Sequence, residues 1–274
     1  MAEGELVRVA GAHDALGATV AQQAGFQAVW ASSFEVSASR CLPDASVLTM
    51  TEYLAAAAAM QKAIDIPVVA DVDTGYGNAL NIAHMVHEYE AAGITAVCME
   101  DKVFPKVNSF AAASHDLLPT EEFARRIRTA KAAQRGEDFY FIARTEALIS
   151  GLTVQEALER CAAYADAGAD AVLIHSKRRD EQEIAEFLAG WDGRRPVVIV
   201  PTTYPQLSAT DAHKHGASVV IYANQGLRAT VQALRDTFSA IVQDGTSLGV
   251  EDGIVPVSDI FALQRLDDWL ALEA

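Results

Sequence analysis

The chain has 274 residues, of which 51% are hydrophobic and 21% are charged. A chain of this composition can bury a substantial core, which excludes intrinsic disorder, a collagen and a small disulfide scaffold. The net charge of −16 comes without any basic stretch, which argues against nucleic acid and anionic membranes as partners. An anionic substrate stays possible, because a bound metal and local site charges can override the field of the whole molecule.

The three cysteines, Cys41, Cys98 and Cys161, are widely spaced and form no CxxC pair. An odd number of such cysteines is typical of a reducing compartment, so we expect a cytoplasmic protein with free thiols. The first fifteen residues contain no basic segment followed by an apolar run, and no apolar stretch is long enough to span a bilayer.

A repeated junction organises the chain. An Ala-Gly or His-Gly pair, two spacer residues and an apolar run follow one another at residues 24–29, 92–97, 167–172 and 215–220. A glycine at this point is typical of a helix end, and the apolar run is typical of a buried parallel strand. The chain is therefore predicted to repeat a helix–strand unit.

Eight apolar runs predict the strands, in chain order near residues 6–9, 28–32, 68–73, 96–100, 140–144, 171–175, 197–201 and 219–223. Helical stretches separate them, and three carry the capping-box pattern, at Thr49 and Glu52, Thr153 and Glu156, and Ser208 and Asp211. This alternation predicts an α/β fold, a (β/α)8 TIM barrel formed by one domain over residues 1–274, with a doubly wound open sheet as the alternative. Residues 245–274 are predicted to form a C-terminal helical extension.

Polar residues follow directly after these runs, at the end of the strands where ligands bind in both architectures. Asp71 and Asp73 lie at the end of the third run and share a face if the strand continues through them, and Glu100 ends the fourth. Converging carboxylates repel one another unless a hard divalent cation joins them, so these three acids predict a Mg²⁺ site. The alternative is that they cap helices or form salt bridges in loops.

Two basic residues end the next two runs, Arg144 the fifth and His175 the sixth. Arginine can hold a phosphoryl or carboxylate group through two hydrogen bonds, so the pair predicts an anion site opposite the metal. A structural role, in which the arginine closes the carboxylate network, is the alternative. The chain contains no GxxxxGK[ST], HExxH or GxSxG motif.

Two stretches, DVDTGYGN at residues 71–78 and EDKVFPKVNS at residues 100–109, resemble the phosphoenolpyruvate mutase/isocitrate lyase superfamily. The second is similar to the mutase signature EDK-x5-NS. The resemblance covers essentially the whole chain, through residues 30–32, 143–147, 175–177 and 198–202. It implies a barrel whose terminal helix is exchanged between the subunits of a homodimer or homotetramer.

The resemblance also implies roles for individual residues. Asp71 would bind Mg²⁺ directly, whereas Asp73 and Glu100 would hold it through water. The implied catalytic residues, of which three lie on a mobile gating loop, are Asp44, Lys106, Asn108, Ser109, Arg144 and His175. The implied substrate-binding residues, around the pyruvyl group and its carboxylate, are Trp30, Ser32 and Ser33. The family often has glycine where Ala31 and Ser33 stand, a departure that could tighten this pocket.

Lyases of this superfamily carry a catalytic cysteine in the loop that reads KVFPKVNS here, so the resemblance implies a phosphonate reaction instead. The mutase branch interconverts phosphoenolpyruvate and phosphonopyruvate, and the hydrolase branch cleaves phosphonopyruvate to pyruvate and phosphate. Asn108 and Ser109 favour the mutase, whereas Thr203–Leu207 is more similar to the hydrolase. Because the loop touches the phosphoryl group in the family, we expect a Mg²⁺-dependent mutase of phosphonate biosynthesis. A C–C acylhydrolase and a non-catalytic barrel that binds a metal or metabolite stay open as competing hypotheses.

Overall fold

The computed structural model describes residues 5–273. The chain divides into two compact units, Met1–Asn224 and Gln225–Ala274. The predicted domain limits, 1–274 with an extension from residue 245, include positions 1–4 and 274, which lie outside the described residues. Those limits stay a prediction.

Eight parallel strands form the first unit, and each is hydrogen-bonded to the next until β8 returns to β1 and closes a barrel. The strands are β1 (Val7–Ala12), β2 (Ala28–Ala31), β3 (Val68–Asp71), β4 (Ala96–Glu100), β5 (Tyr140–Thr145), β6 (Ala171–Ile174), β7 (Val197–Ile199) and β8 (Val219–Tyr222). The predicted (β/α)8 barrel is confirmed, and the doubly wound open sheet is excluded.

Helices connect the strands of this unit. They are α1 (Ala15–Gln23), α2 (Ser33–Ser39), α3 (Met50–Ala63), α4 (Ala79–Ala91), α5 (Thr120–Ala133), α6 (Val154–Asp166), α7 (Gln182–Gly190) and α8 (Ala209–Lys214). Thr49 and Thr153 form the predicted capping boxes of α3 and α6. Ser208 caps α8 by accepting from the backbone N–H of Asp211, whose shorter side chain accepts from the Ser208 hydroxyl instead of closing the box.

The chain turns sharply after β3. This strand ends at Asp71, two residues earlier than predicted, and Asp73 has a φ of +49°. Gly75 follows with a φ of +87°, where an added Cβ would lie 2.7 Å from Ile82 and Met99. The expectation that Asp71 and Asp73 share a strand face is therefore wrong, because Asp73 lies in a turn beyond the end of the strand.

Alternate residues of the strands fill the barrel interior with apolar side chains. On β5 the inward series passes from Ile142 to Arg144, and on β4 it passes from Cys98 to Glu100. The same two-residue step leads from Leu173 on β6 to His175 just beyond it. The polar residues at the carboxyl ends are therefore the continuation of the buried interior face.

The second unit is helical and contains α9 (Gln225–Asp244), a 3₁₀ turn (Glu251–Gly253), α10 (Val257–Leu263) and α11 (Leu266–Ala271). Among its described residues only Leu227 is buried. Large apolar side chains such as Phe238, at 60%, and Trp269, at 67%, are exposed. Within residues 5–273 no helix has the length and apolar character needed to cross a membrane.

Candidate active site

A cavity of about 70 Å³ lies at the carboxyl ends of the strands. Nine of the twelve residues singled out from the sequence line it, namely Trp30, Ser32, Asp44, Asp71, Lys106, Asn108, Ser109, Arg144 and His175. The remaining three, Ser33, Asp73 and Glu100, are buried and contact residues of the lining. The structure thus brings the whole predicted set together.

One side of the cavity is held by Lys106, from the loop after β4. Its ammonium lies 2.5 Å from Oδ1 of Asp44 and 3.0 Å from Oδ1 of Asp73, and all three side chains are buried. Asn108 donates from Nδ2 to the other oxygen of Asp44 at 2.8 Å. The loop is therefore closed over the cavity and fixed there by two bonds to Asp44.

Asp71 lies at the floor of this side. Its Oδ2 accepts a hydrogen bond of 2.8 Å from the Ser33 hydroxyl, and its Oδ1 accepts from the backbone N–H of Asp73 at 3.3 Å. Ser33, which stands where the family often has glycine, thereby occupies one lone pair of the expected metal ligand. Burial raises the pKa of Asp73 to about 7, although the neighbouring Lys106 acts in the opposite direction.

The other side of the cavity is organised by Glu146. This carboxylate lies 2.7 Å from Nε of Arg144, 3.0 Å from Nζ of Lys102 and 3.1 Å from Nδ1 of His175. It also accepts a hydrogen bond from the Ser109 hydroxyl. Burial acts to raise the pKa of Glu146, but the surrounding bases, Arg144 above all, hold that pKa well below its usual range. An ionised Glu146 is therefore the anchor of this side.

Lys102 ties the loop to this anchor. Its ammonium donates to the Val107 carbonyl at 3.0 Å and to the Ser109 hydroxyl at 2.8 Å. The Arg144 guanidinium also donates to Ser109, at 3.1 Å, and its Nε lies 3.3 Å from Glu100. The two sides of the cavity thus hold the same loop, one through Asn108 and the other through Ser109.

His175 is buried, and burial lowers its pKa, so the ring is neutral near pH 7. Its Nδ1 lies 3.1 Å from both an Arg144 nitrogen and a Glu146 oxygen, and its tautomer decides which of the two is a hydrogen bond. Nε2 has no hydrogen-bond partner. A ring that accepts from Arg144 carries its proton on Nε2, which makes that atom a donor for an anionic ligand in the cavity.

Glu146, Lys102 and Phe110 belong to the site although the sequence did not single them out. Glu146 stands two residues after Arg144, so the alternation that selected Arg144 could have selected it too. Lys102 lies inside the EDK motif. Phe110 lines the cavity directly after the Asn-Ser pair, and no polar chemistry draws attention to it.

The donor set of the cavity fits a divalent cation that is held largely through water. Within residues 5–273, no three His, Cys, Asp or Glu side chains are arranged to hold a metal ion directly. Oε1 of Glu100 is nevertheless buried without a hydrogen-bond partner. The cluster also contains five buried carboxyl groups and three basic side chains, which are Asp44, Asp71, Asp73, Glu100, Glu146, Lys102, Lys106 and Arg144. An excess of acidic over basic side chains fits one Mg²⁺ held by few protein ligands and by water.

Comparisons with known proteins agree with this geometry. The family model "Phosphoenolpyruvate phosphomutase" matches residues 1–242. Phosphonopyruvate hydrolase of Variovorax sp. is 45% identical over 273 residues, which cover 99% of this chain and 94% of that one. Phosphoenolpyruvate phosphomutase of Streptomyces hygroscopicus is also 45% identical, over 254 residues that cover 92% and 81%.

Solved structures give the same result. The crystal structure of phosphoenolpyruvate phosphomutase from Streptomyces platensis subsp. rosaceus has a TM-score of 0.97 and 53% identity, and the match covers 98% of this chain and 94% of that one. A phosphonopyruvate hydrolase complex with oxalate and Mg²⁺ has a TM-score of 0.93 and 44% identity, with the same coverage. The chain therefore belongs to the phosphoenolpyruvate phosphomutase family, within the phosphoenolpyruvate mutase/isocitrate lyase superfamily.

Proposed function

We propose that the chain is a Mg²⁺-dependent phosphoenolpyruvate mutase, an isomerase that interconverts phosphoenolpyruvate and phosphonopyruvate. The observation that carries the proposal is the position of Asn108. Its amide is fixed by Asp44, and it lines the same cavity as Arg144 and His175. These three side chains supply N–H donors to the oxygens of a transferring phosphoryl group, and in the family an Asn-Ser pair at this point favours the mutase.

The other half of the substrate is pyruvate enolate. Trp30 and Ser32 line the cavity, and Ser33 lies beside it, bound to Asp71. By the family resemblance, backbone amides near Ser32 and Ser33 would bind the carboxylate of the enolate. Asp71, Asp73 and Glu100 would hold Mg²⁺, which supplies stabilisation of the negative charge on the enolate oxygen. Lys106 forms ion pairs with Asp44 and Asp73 and keeps the loop closed.

The reaction moves phosphorus between two atoms of the same enolate. The P–O bond of phosphoenolpyruvate breaks with its electron pair on the enolate oxygen, and carbon 3 of the enolate then forms the P–C bond. No proton is gained or lost. Because the transition state is loose, positioning and electrostatics supply most of the catalysis, and a closed loop keeps water from the phosphoryl group.

Phosphonopyruvate hydrolase is the second candidate, favoured by the segment Thr203–Leu207 and by the equal identity of the hydrolase and mutase relatives. Thr202, directly before this segment, lines the cavity. The Thr203 hydroxyl instead donates a hydrogen bond to the Ser176 carbonyl at 3.2 Å and does not line the cavity. We therefore give the loop more weight than this segment.

Phosphorus NMR of the purified protein with Mg²⁺ and phosphonopyruvate tests the proposal. A mutase gives a phosphoenolpyruvate signal that approaches a constant ratio to the substrate signal. Inorganic phosphate formed in step with pyruvate would identify the hydrolase and contradict the proposal. Mg²⁺ binding without turnover would indicate the non-catalytic barrel.

We also propose a homodimer or homotetramer in which the second unit packs on another subunit. The support is the exposure of its apolar residues, among them Phe238 and Trp269. Sedimentation velocity of the wild type and of Phe238→Glu tests this, and we expect the substitution to release monomers. A monomeric wild type would contradict it.

The free thiols of Cys41, Cys98 and Cys161 support a cytoplasmic location.

A further inference from the structure

Phe110 closes the cavity from the loop side. Its ring meets the ring of His175 edge to face, with centroids 5.4 Å apart and planes at 82°. The side chain lines the cavity yet is 45% exposed, so it stands between the cavity and solvent. It is the single large apolar side chain that the described residues of this loop contribute to the lining.

The ring is held in place by its neighbours in the sequence. The backbone N–H of Phe110 donates to Oδ1 of Asn108 at 3.0 Å, while Nδ2 of the same amide donates to Asp44. Ser109 is bound by Lys102 and Arg144. Phe110 therefore follows two anchored residues, and its position depends on the groups that are expected to bind the phosphoryl oxygens.

The four residues after Phe110 contribute no large side chain that could replace its ring. Residues 111–114 read Ala-Ala-Ala-Ser and are exposed. Phe34, which is 36% exposed, lines the cavity from α2, so Phe34 and Phe110 are the two exposed aromatic side chains of the lining and mark the mouth of the cavity. Without the ring of Phe110, residues 110–114 would carry only small side chains, and Phe34 would be the remaining phenyl ring of the lining.

We propose that Phe110 is a specificity-determining residue, whose ring excludes water and thereby directs the phosphoryl group to the enolate instead of to water. The inference rests on the proposed mutase activity. A metaphosphate-like group transfers to whichever nucleophile lies beside it, so the presence of water at the mouth decides the product.

The competing step is hydrolysis. The P–C bond of phosphonopyruvate breaks with its electron pair on carbon 3 of the enolate, and the oxygen of water forms a new P–O bond. The water supplies the proton that converts the enolate to pyruvate, so that pyruvate and inorganic phosphate leave. Substrate and water are the only reactants.

The experiment follows both products in water enriched in ¹⁸O. Wild type, Phe110→Ala and Phe110→Leu are supplied with Mg²⁺ and phosphonopyruvate, and phosphorus NMR and mass spectrometry give the share of turnover that yields ¹⁸O-labelled phosphate. Val103→Ala is the matched control, because Val103 lies in the same loop and is 42% exposed but does not line the cavity.

We expect Phe110→Ala to raise the phosphate share at least about fivefold, Phe110→Leu to raise it less, and Val103→Ala to leave it unchanged. An unchanged share in Phe110→Ala, with a wild type that forms phosphoenolpyruvate, overturns the inference and leaves the mutase activity intact. A wild type that releases only phosphate overturns both the inference and the proposed mutase activity, because water then reacts although the ring of Phe110 is present. If both Phe110 variants bind Mg²⁺ but turn over neither way, the ring serves turnover itself and the inference is wrong.

Discussion

The two ends of the barrel are formed by the same eight strands and differ in what the strands present there. At the carboxyl end, buried carboxylates and bases such as Asp71, Arg144 and Glu146 surround a cavity of about 70 Å³. At the amino end, a cavity of about 400 Å³ is lined mainly by apolar side chains, including Ala28, Ala96 and Ala171. One end is crowded with charge, and the other is apolar and loosely filled.

This difference separates stability from function along a single axis. Burial of a charge costs several kcal/mol unless partners compensate it, and the carboxyl end carries more carboxylates than bases. The chain therefore retains an unfavourable arrangement at the end where ligands bind. The alanines at the amino end leave space that larger apolar side chains could use. Substitutions at the first end should change activity, and also stability where they break a buried ion pair, whereas those at the second should change stability alone.

The largest effect is expected from Asp71→Ala, which removes the only expected direct ligand of Mg²⁺. Turnover of phosphonopyruvate should fall on the order of 10³-fold, because the metal contributes several kcal/mol of charge stabilisation. The free energy of unfolding without Mg²⁺ should change by no more than about 1 kcal/mol. The lost hydrogen bonds are offset because one acidic group is removed from a cluster with more acids than bases. Calorimetry and a pyruvate- and phosphoenolpyruvate-specific assay measure both. Full Mg²⁺-dependent activity in this variant would refute the assignment of the metal ligand.

Glu146→Gln should give the largest loss of stability. The substitution leaves Arg144 and Lys102 buried without their main partner, which is expected to cost about 3–5 kcal/mol of unfolding free energy. Urea denaturation followed by circular dichroism measures it. The exposed Glu159→Gln is the control and should stay within about 0.5 kcal/mol of the wild type. Equal stability of the two variants would mean that Glu146 is not the anchor of its side.

The same carboxyl predicts a response to acid. Because the folded-state pKa of Glu146 lies well below its unfolded value, its ionised form stabilises the protein above the unfolded pKa of about 4.3. That contribution is lost as the pH falls through the folded-state pKa. Unfolding free energies of wild type and Glu146→Gln should therefore differ most at pH 6 to 7 and converge towards pH 3. A constant difference across this range would show that another group carries the acid sensitivity.

The barrel could be predicted from the sequence because its signals are local. The junction glycines end helices as expected, with a φ of +87° at Gly25 and +105° at Gly168, and each apolar run became a strand. The ends of the strands were harder to predict, because an apolar residue favours burial but does not mark the last hydrogen bond of a strand. Asp73 is the clearest case, since the turn at Asp73–Gly77 depends on packing against Ile82 and Met99.

The location of the site could be predicted from the sequence, but most of the contacts between its side chains could not. The rule that ligands bind at the carboxyl ends located Asp71, Glu100, Arg144 and His175, and the family resemblance added the loop. Glu146 pairs with Lys102, which is 44 positions away in the sequence, and with Ser109, which is 37 positions away. No local pattern encodes which side chains meet across a barrel. The ion pairs of Lys106 depend in the same way on the closed loop.

The smallest effect is expected at the amino end, where Ala96→Val should raise stability. Ala96 begins β4, is 5% exposed and lines the apolar cavity, so the added methyl groups can enter existing space on a residue type that strands favour. The gain should be about 0.5–1 kcal/mol, with turnover unchanged, because the substitution lies at the opposite end of β4 from Glu100. Ala57→Val on α3 is the matched control. That alanine is 1% exposed in the packed core, and the larger side chain should cost about 1–3 kcal/mol. Denaturant unfolding distinguishes the two. A loss of stability in both variants would mean that the amino end is packed as tightly as the core, and the contrast between the two ends would then rest on charge alone.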